Sequence, residues 1–134
     1  FQNVDYVTKE DAKKFWARCH PEKGDLLICS RGTIGRTTIV NIEEPFCLMG
    51  SVILIKFYDS TTSDYCKYYL RTQSGVSQIG LMRKGMAVGA LYLKDIEKAL
   101  IPLPPLAEQK RIVKKVEEVM SLVNKLKPLV AVEK

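Results

Sequence analysis

Between Asp64 and Asp95 the chain carries no acidic residue, yet it carries Lys67, Arg71, Arg83, Lys84 and Lys94. Inside that window runs Thr72-Gln73-Ser74-Gly75-Val76-Ser77-Gln78-Ile79-Gly80-Leu81-Met82-Arg83-Lys84-Gly85, polar, punctuated by glycine and weakly periodic. Glutamine pairs bidentately with adenine edges, arginine with guanine, serine with several base groups, and lysine neutralises phosphate. Arg71, Gln73, Ser74, Ser77, Gln78, Arg83 and Lys84 are therefore the candidate DNA-contacting residues. The pattern predicts a long loop, and the same composition suits a plain flexible loop with no ligand.

No catalytic constellation stands beside these residues. The sequence has no H-E-x-x-H and no G-x-S-x-G, and His20, its one histidine, has no triad to join. The cysteines, at 19, 29, 47 and 66, lack the close pairing of a zinc site, so reduced, mostly buried thiols are expected, with no metal. No glycine-rich loop opens a helix after a strand, and no cofactor is expected. Gly32 and Gly35 form a G-x-x-G without the Lys-Ser/Thr of a phosphate loop. Glycines serving a tight strand-to-strand turn explain it more simply, although Arg31 could present its guanidinium there.

A chain of 134 residues with 46% hydrophobic and 27% charged residues is long enough for one domain with a true core. The net charge of +6 points mildly toward a polyanionic partner. No apolar run approaches the length of a membrane span and no signal peptide is visible, so a cytoplasmic protein is expected. The chain begins at Phe1 rather than Met, which suggests a fragment lacking an upstream part.

Several elements must position the candidate residues. Val4–Val7 reads as a short strand, and Thr8 with Asp11 as the cap of a helix burying Ala12, Phe15, Trp16 and Cys19. The basic face of that helix is most simply solvated. Leu26–Ser30 reads as a buried strand, Arg36–Ile42 as its β-branched partner, and Ser51–Tyr58 as a third strand. Ser60, Thr61 and Thr62 offer caps for a helix over Ser63–Arg71, whose Tyr65 and Tyr69 suit a half-buried core better than base stacking. A short helix, Leu93–Lys98, leads to the proline run.

Pro102, Pro104 and Pro105 stiffen the approach to a helix expected from Leu106 to Lys127, roughly 33 Å long, with Pro128 as its stop. Ile112, Val116, Val119, Val123 and Leu126 follow steps of four and three, the seam of a coiled coil or partner interface. The same face could pack on its own domain.

The run Pro102-Leu103-Pro104-Pro105-Leu106-Ala107-Glu108-Gln109, followed by Lys110-Arg111-Ile112-Val113, resembles the segment of type I restriction-modification specificity subunits that joins a target recognition domain to a long pairing helix. Lys23-Gly24-Asp25-Leu26-Leu27-Ile28-Cys29-Ser30-Arg31-Gly32-Thr33-Ile34-Gly35 is similar to the family's glycine-containing core block and lies in the expected order before it. The two blocks cover about a fifth of the chain.

The resemblance implies an α/β (α+β) fold: a small mixed-sheet target recognition domain over 1–104, N-terminally truncated if the family pattern holds, then a helical arm over 105–134. It implies recognition of half of a bipartite double-stranded DNA site, without catalysis. Its partners would be a methyltransferase (modification) subunit, a restriction subunit and a second arm, or a second copy of the chain through the seam. Gly24, Arg31, Gly32 and Gly35 would be mainly structural, and the resemblance does not name the base-reading residues. Leu103-Pro104-Pro105-Leu106 lacks the polar and aromatic residues of the Asn/Asp-Pro-Pro-aromatic motif of amino-methylating enzymes. A coiled-coil protein adaptor, or a subdomain of a larger methyltransferase fusion, are the alternatives.

Overall fold

The structure, a computed structural model, describes residues 4–83 and 89–130, with the side chains of 80–83 and 127–130 excluded. Its elements are α1 (Lys9–Arg18), β1 (Leu26–Cys29), β2 (Thr37–Ile39), β3 (Val52–Ile55), α2 (Ser60–Tyr69), α3 (Gln73–Arg83), α4 (Leu93–Ile96) and α5 (Leu106–Val130). The expected α/β class holds, with a three-stranded sheet ordered β2-β1-β3 that is antiparallel in both pairings rather than mixed.

The most apolar strand takes the centre. Leu26 and Ile28 of β1 are fully buried, and they stand opposite Ile39 and Thr37 of β2 and opposite Ile55 and Ile53 of β3. Alternation along each strand puts these six side chains on one face. That face meets Tyr65 and Cys66 of α2 and Leu70 at its C-cap, with Ile79, Leu91 and Val113 completing the core. Burial pushes the Cys66 thiol up to about 11, so it behaves as a small apolar side chain.

The two ends of the sheet differ in charge. At one end Lys56 donates to Glu22 at 2.6 Å and to the buried Asp25 at 2.8 Å, while Lys23 donates to Glu43 at 2.7 Å. The hydrogen bond from Lys56 holds the Glu22 carboxyl below its ordinary range. At the other end Gly32 and Gly35 turn β1 into β2 with φ of +68° and +84°.

Several boundaries differ from expectation. Residues 4–7 form no strand; they are exposed and no described strand pairs with them. Thr8 caps α1 as expected, accepting from the Asp11 amide at 3.1 Å. Within α1, Ala12 is buried and Trp16 half-buried, as is Cys19 at its C-cap, but Phe15, at the margin of the stripe, is exposed. Asp59, rather than Ser60–Thr62, caps α2 by accepting from the Thr61 amide at 2.8 Å, and α2 ends at Tyr69.

The stretch expected to be a long loop is the helix α3. Thr72 nucleates it: its hydroxyl accepts from the Gly75 amide at 3.2 Å and its carbonyl from the Val76 amide at 2.9 Å. Gly75 makes the α2–α3 corner fit, because a Cβ there would meet the Tyr69 carbonyl and lie 2.6 Å from Leu70 Cα. Burial of Ile79 then offsets the poor helix propensity of the glycines and serines.

The segment before α5 is fastened at every second residue. Gln78 donates to the Leu100 carbonyl at 2.6 Å and accepts from the Leu100 amide at 2.8 Å. Tyr65 donates its hydroxyl proton to the Pro102 carbonyl at 2.7 Å, and Gln109 donates to the Pro104 carbonyl at 2.8 Å. Prolines bring acceptors without donors, so side chains from α2, α3 and α5 supply the donors. Past this segment α5 runs on to Val130, about 37 Å, so Pro128 does not end it.

Replacing Gly75 by Ala is expected to cost a net of about 1–2 kcal/mol, because the backbone clash outweighs the usual helix gain of about 1 kcal/mol. Gly50→Ala, where a Cβ meets nothing within 4 Å, is the control and should stay within about 0.5 kcal/mol in the same urea titration. A neutral Gly75→Ala would dismiss the corner. Tyr65→Phe leaves the Pro102 carbonyl without its donor and is expected to lower stability by about 1 kcal/mol. Faster proteolysis within 99–105 should accompany that loss; unchanged cleavage and stability would show that the clasp is not holding the segment.

Candidate nucleic-acid interface

A second acid-free window becomes visible once the fold is known. Residues 26–42 hold no acid and contain Arg31 and Arg36, and they pack against the window between Asp64 and Asp95. A Cβ on Gly35 would lie 3.4 Å from the Ile79 side chain, so the glycine turn rests on α3. Arg71 donates to the Thr37 carbonyl at 2.6 Å and to its hydroxyl at 3.3 Å, bracing the edge strand β2. The result is one surface assembled from two distant stretches, with arginine and lysine but no carboxylate from either.

The candidate residues divide by position. Gln73, Ser74 and Ser77 lie exposed on α3 and make no side-chain hydrogen bond among the described residues. Gln73 and Ser77, four apart, share one helix face. Arg71 is exposed but engaged with Thr37, and Gln78 is half-buried and holds Leu100. Both therefore have an internal structural role. Arg83 is the last residue of α3, its side chain outside the description, and Lys84 lies outside the described residues. Arg36 was not legible as a site residue one window at a time. Its signal is the absence of acids from 26–42, which gains meaning only when the two windows are seen to touch.

The seam of α5 is split. Val113 is buried and Ile112 and Val116 half-buried against α2, whereas Val119, Val123 and Leu126 are 45%, 40% and 56% exposed. Between the helices runs a groove of about 440 Å³ lined by Tyr65, Tyr68 and Tyr69 on one side and Ile112, Val116 and Met120 on the other. The apolar stripe thus starts as core and emerges as surface. Among the described residues no three His, Cys, Asp or Glu side chains gather as a metal site would need, and no helix is long and apolar enough to cross a membrane.

The sequence profile of the type I restriction modification DNA specificity domain matches residues 2–130. The chain is also 32% identical over 122 residues to a Haemophilus influenzae protein assigned as a type I restriction enzyme specificity subunit. That match covers 90% of this chain and 31% of the relative, so the chain spans about a third of the length of the curated relative it matches. An α/β body, a surface rich in cations and a long C-terminal helix accord with that kinship: the chain belongs to the family of type I restriction-modification DNA specificity domains.

Proposed function

We propose that this chain reads one half of a bipartite site in double-stranded DNA and does so without catalysis, in the cytoplasm. Residues 1–104 act as the recognition body and 105–134 as an arm whose root is sunk in that body. The arm pairs with a second arm, or with a copy of itself, and the assembly docks modification and restriction subunits. The observation that carries the reading is the joining of two acid-free windows beside an exposed polar helix face.

The chemistry divides by residue. Lysine and arginine around the joined windows supply salt-dependent attraction to the DNA backbone. An α-helix fits the major groove, where glutamine and serine can read base edges, so Gln73, Ser74 and Ser77 on α3 are the base-reading candidates. Arg71 acts mainly by tying the end of α2 to β2, and Gln78 by holding α3 against the proline segment. Arg83 and Lys84 extend the same stretch in sequence and are proposed as phosphate or base contacts.

Selection from a random duplex library, using the full-length protein with its modification subunit, should enrich one short half-site attributable to this domain. Gln73→Ala or Ser77→Ala should relax preference at one base pair by about 1–3 kcal/mol, with other positions unchanged. Enrichment insensitive to both changes would move the reading surface off α3. Failure of a folded complex to enrich any sequence would overturn the proposal.

For the arm, Val119→Asp with Val123→Asp is expected to abolish self-association or pairing with a second arm, as followed by sedimentation velocity. The substituted positions are exposed, so the stability of the single chain should change by no more than about 0.5 kcal/mol. Association that survives both charges would refute the seam.

A further inference from the structure

We infer that the glycine turn between β1 and β2 is a phosphate cradle that grips the DNA backbone, with Arg31 and Arg36 as its cations. The inference rests on the DNA-recognition reading and adds a site to it.

Both glycines of the turn hold a left-handed backbone, but only Gly35 lies against the rest of the fold. Gly35 has φ +84° and lies beside Ile79, where an added Cβ would stand 3.4 Å away in ordinary contact. Gly32 has φ +68° and open space in front of it, with nothing within 4 Å of an added Cβ. Packing does not call for a glycine there. Its positive φ is what calls for a glycine, and the missing side chain leaves the tip bare.

The backbone around Gly32 carries unused donors. Ser30 donates to the Ser51 carbonyl at 2.8 Å, Ile34 to Gly32 at 2.9 Å, Gly35 to Cys29 at 3.0 Å and Arg36 to Thr33 at 3.2 Å. The amides of Arg31, Gly32 and Thr33, three in succession, donate to no acceptor among the described residues, and all three residues are exposed. Consecutive amides in a turn that includes a left-handed residue form an anion-binding concavity.

Charge completes the site. Arg31 lies within the tip and Arg36 at its base, where its carbonyl accepts from the Cys29 amide at 2.9 Å. Both arginines are exposed, and neither has an ion-pair partner among the described residues. The sheet's paired carboxylates, Glu22, Asp25 and Glu43, are gathered at its opposite end. Guanidinium forks suit phosphate oxygens, and the turn rests on the α3 helix that carries Gln73 and Ser77. A backbone phosphate held here would fix how that helix sits on the duplex without reading its sequence.

The test is a salt series of binding titrations with the full-length protein and its modification subunit, on a duplex carrying the selected site and on a scrambled duplex. The double variant Arg31→Ala, Arg36→Ala should weaken binding to both duplexes by the same factor and keep their affinity ratio. It should also flatten the plot of log affinity against log salt by about 1, the signature of one lost phosphate contact. Lys9→Ala with Lys13→Ala on α1, the control, should leave the slope as it is. Wild-type affinity and slope in the arginine variant would overturn the cradle, and so would an equal slope change in the α1 control. Loss confined to the selected duplex would also overturn it, because the arginines would then be reading bases. A wild-type complex that binds neither duplex would overturn the recognition reading itself. An unchanged thermal melt of the arginine variant keeps these outcomes free of misfolding.

Discussion

The carbonyls of Leu100, Pro102 and Pro104 are the constraint on which the rest depends. A proline-rich strap supplies acceptors and few donors, so it cannot fold onto itself or join the sheet. It must be held by side chains, and it is held from three different helices: by Gln78 of α3, Tyr65 and Tyr69 of α2, and Gln109 of α5. Each holder is itself fixed by something else. Tyr65 and Gln109 are buried, and Gln78 sits one residue before the buried Ile79. The exit of α5 from the body is therefore set by the same packing that sets α2 and α3. A change in the tilt of α3 would be felt at the strap, and a change at the strap would be felt by α3.

Arg71 extends this logic to the sheet. β2 is a three-residue edge strand, paired with β1 and tied to α2 by the buried Thr37, whose hydroxyl donates to the Lys67 carbonyl at 3.4 Å. Arg71 takes up the outward Thr37 carbonyl at 2.6 Å, which satisfies an edge acceptor and ties the end of α2 to β2. A guanidinium within an acid-free surface thus acts first as a brace. The distinction matters for function, because a cation already committed to a carbonyl has less freedom to follow a phosphate than Arg31 or Arg36. Charge counting along the sequence treats these arginines alike; hydrogen bonding separates them.

Much of the fold was legible because it rests on local chemistry. The Thr8 cap is a short-range hydrogen-bond pattern, β1 and β3 are dense in β-branched and leucine residues, and α5 has sustained periodicity. What was not legible depends on residues far apart in sequence. α3 has weak propensity and two glycines, and its helix exists because Thr72 caps it, Gly75 clears Tyr69 and Leu70, and Ile79 finds a pocket under Gly35. Phe15 lies on the apolar side of α1 by angle yet remains exposed at the stripe's margin. Arg36 belongs to the candidate surface only through contact between stretches some forty residues apart. Gln78, chosen for its base-pairing chemistry, uses both ends of its amide on the backbone of Leu100.

The split character of α5 follows from geometry rather than from a change in its sequence. Its apolar positions keep the same period from Ile112 to Leu126, but α2 has only ten residues against the twenty-five of α5. At 1.5 Å per residue the shorter helix covers about 15 Å, and the longer one runs past it by more than half its length. The stripe is therefore consumed by the body at Ile112, Val113 and Val116 and left uncovered at Val119, Val123 and Leu126. One repeating pattern thus begins as core and ends as surface, and the changeover lies near the end of α2. On the proposed reading, a partner helix joining at Val119 would begin where the intramolecular packing stops. It would meet a helix whose direction the strap and α2 have already fixed, so pairing would join two recognition bodies at a defined spacing without a flexible link between them.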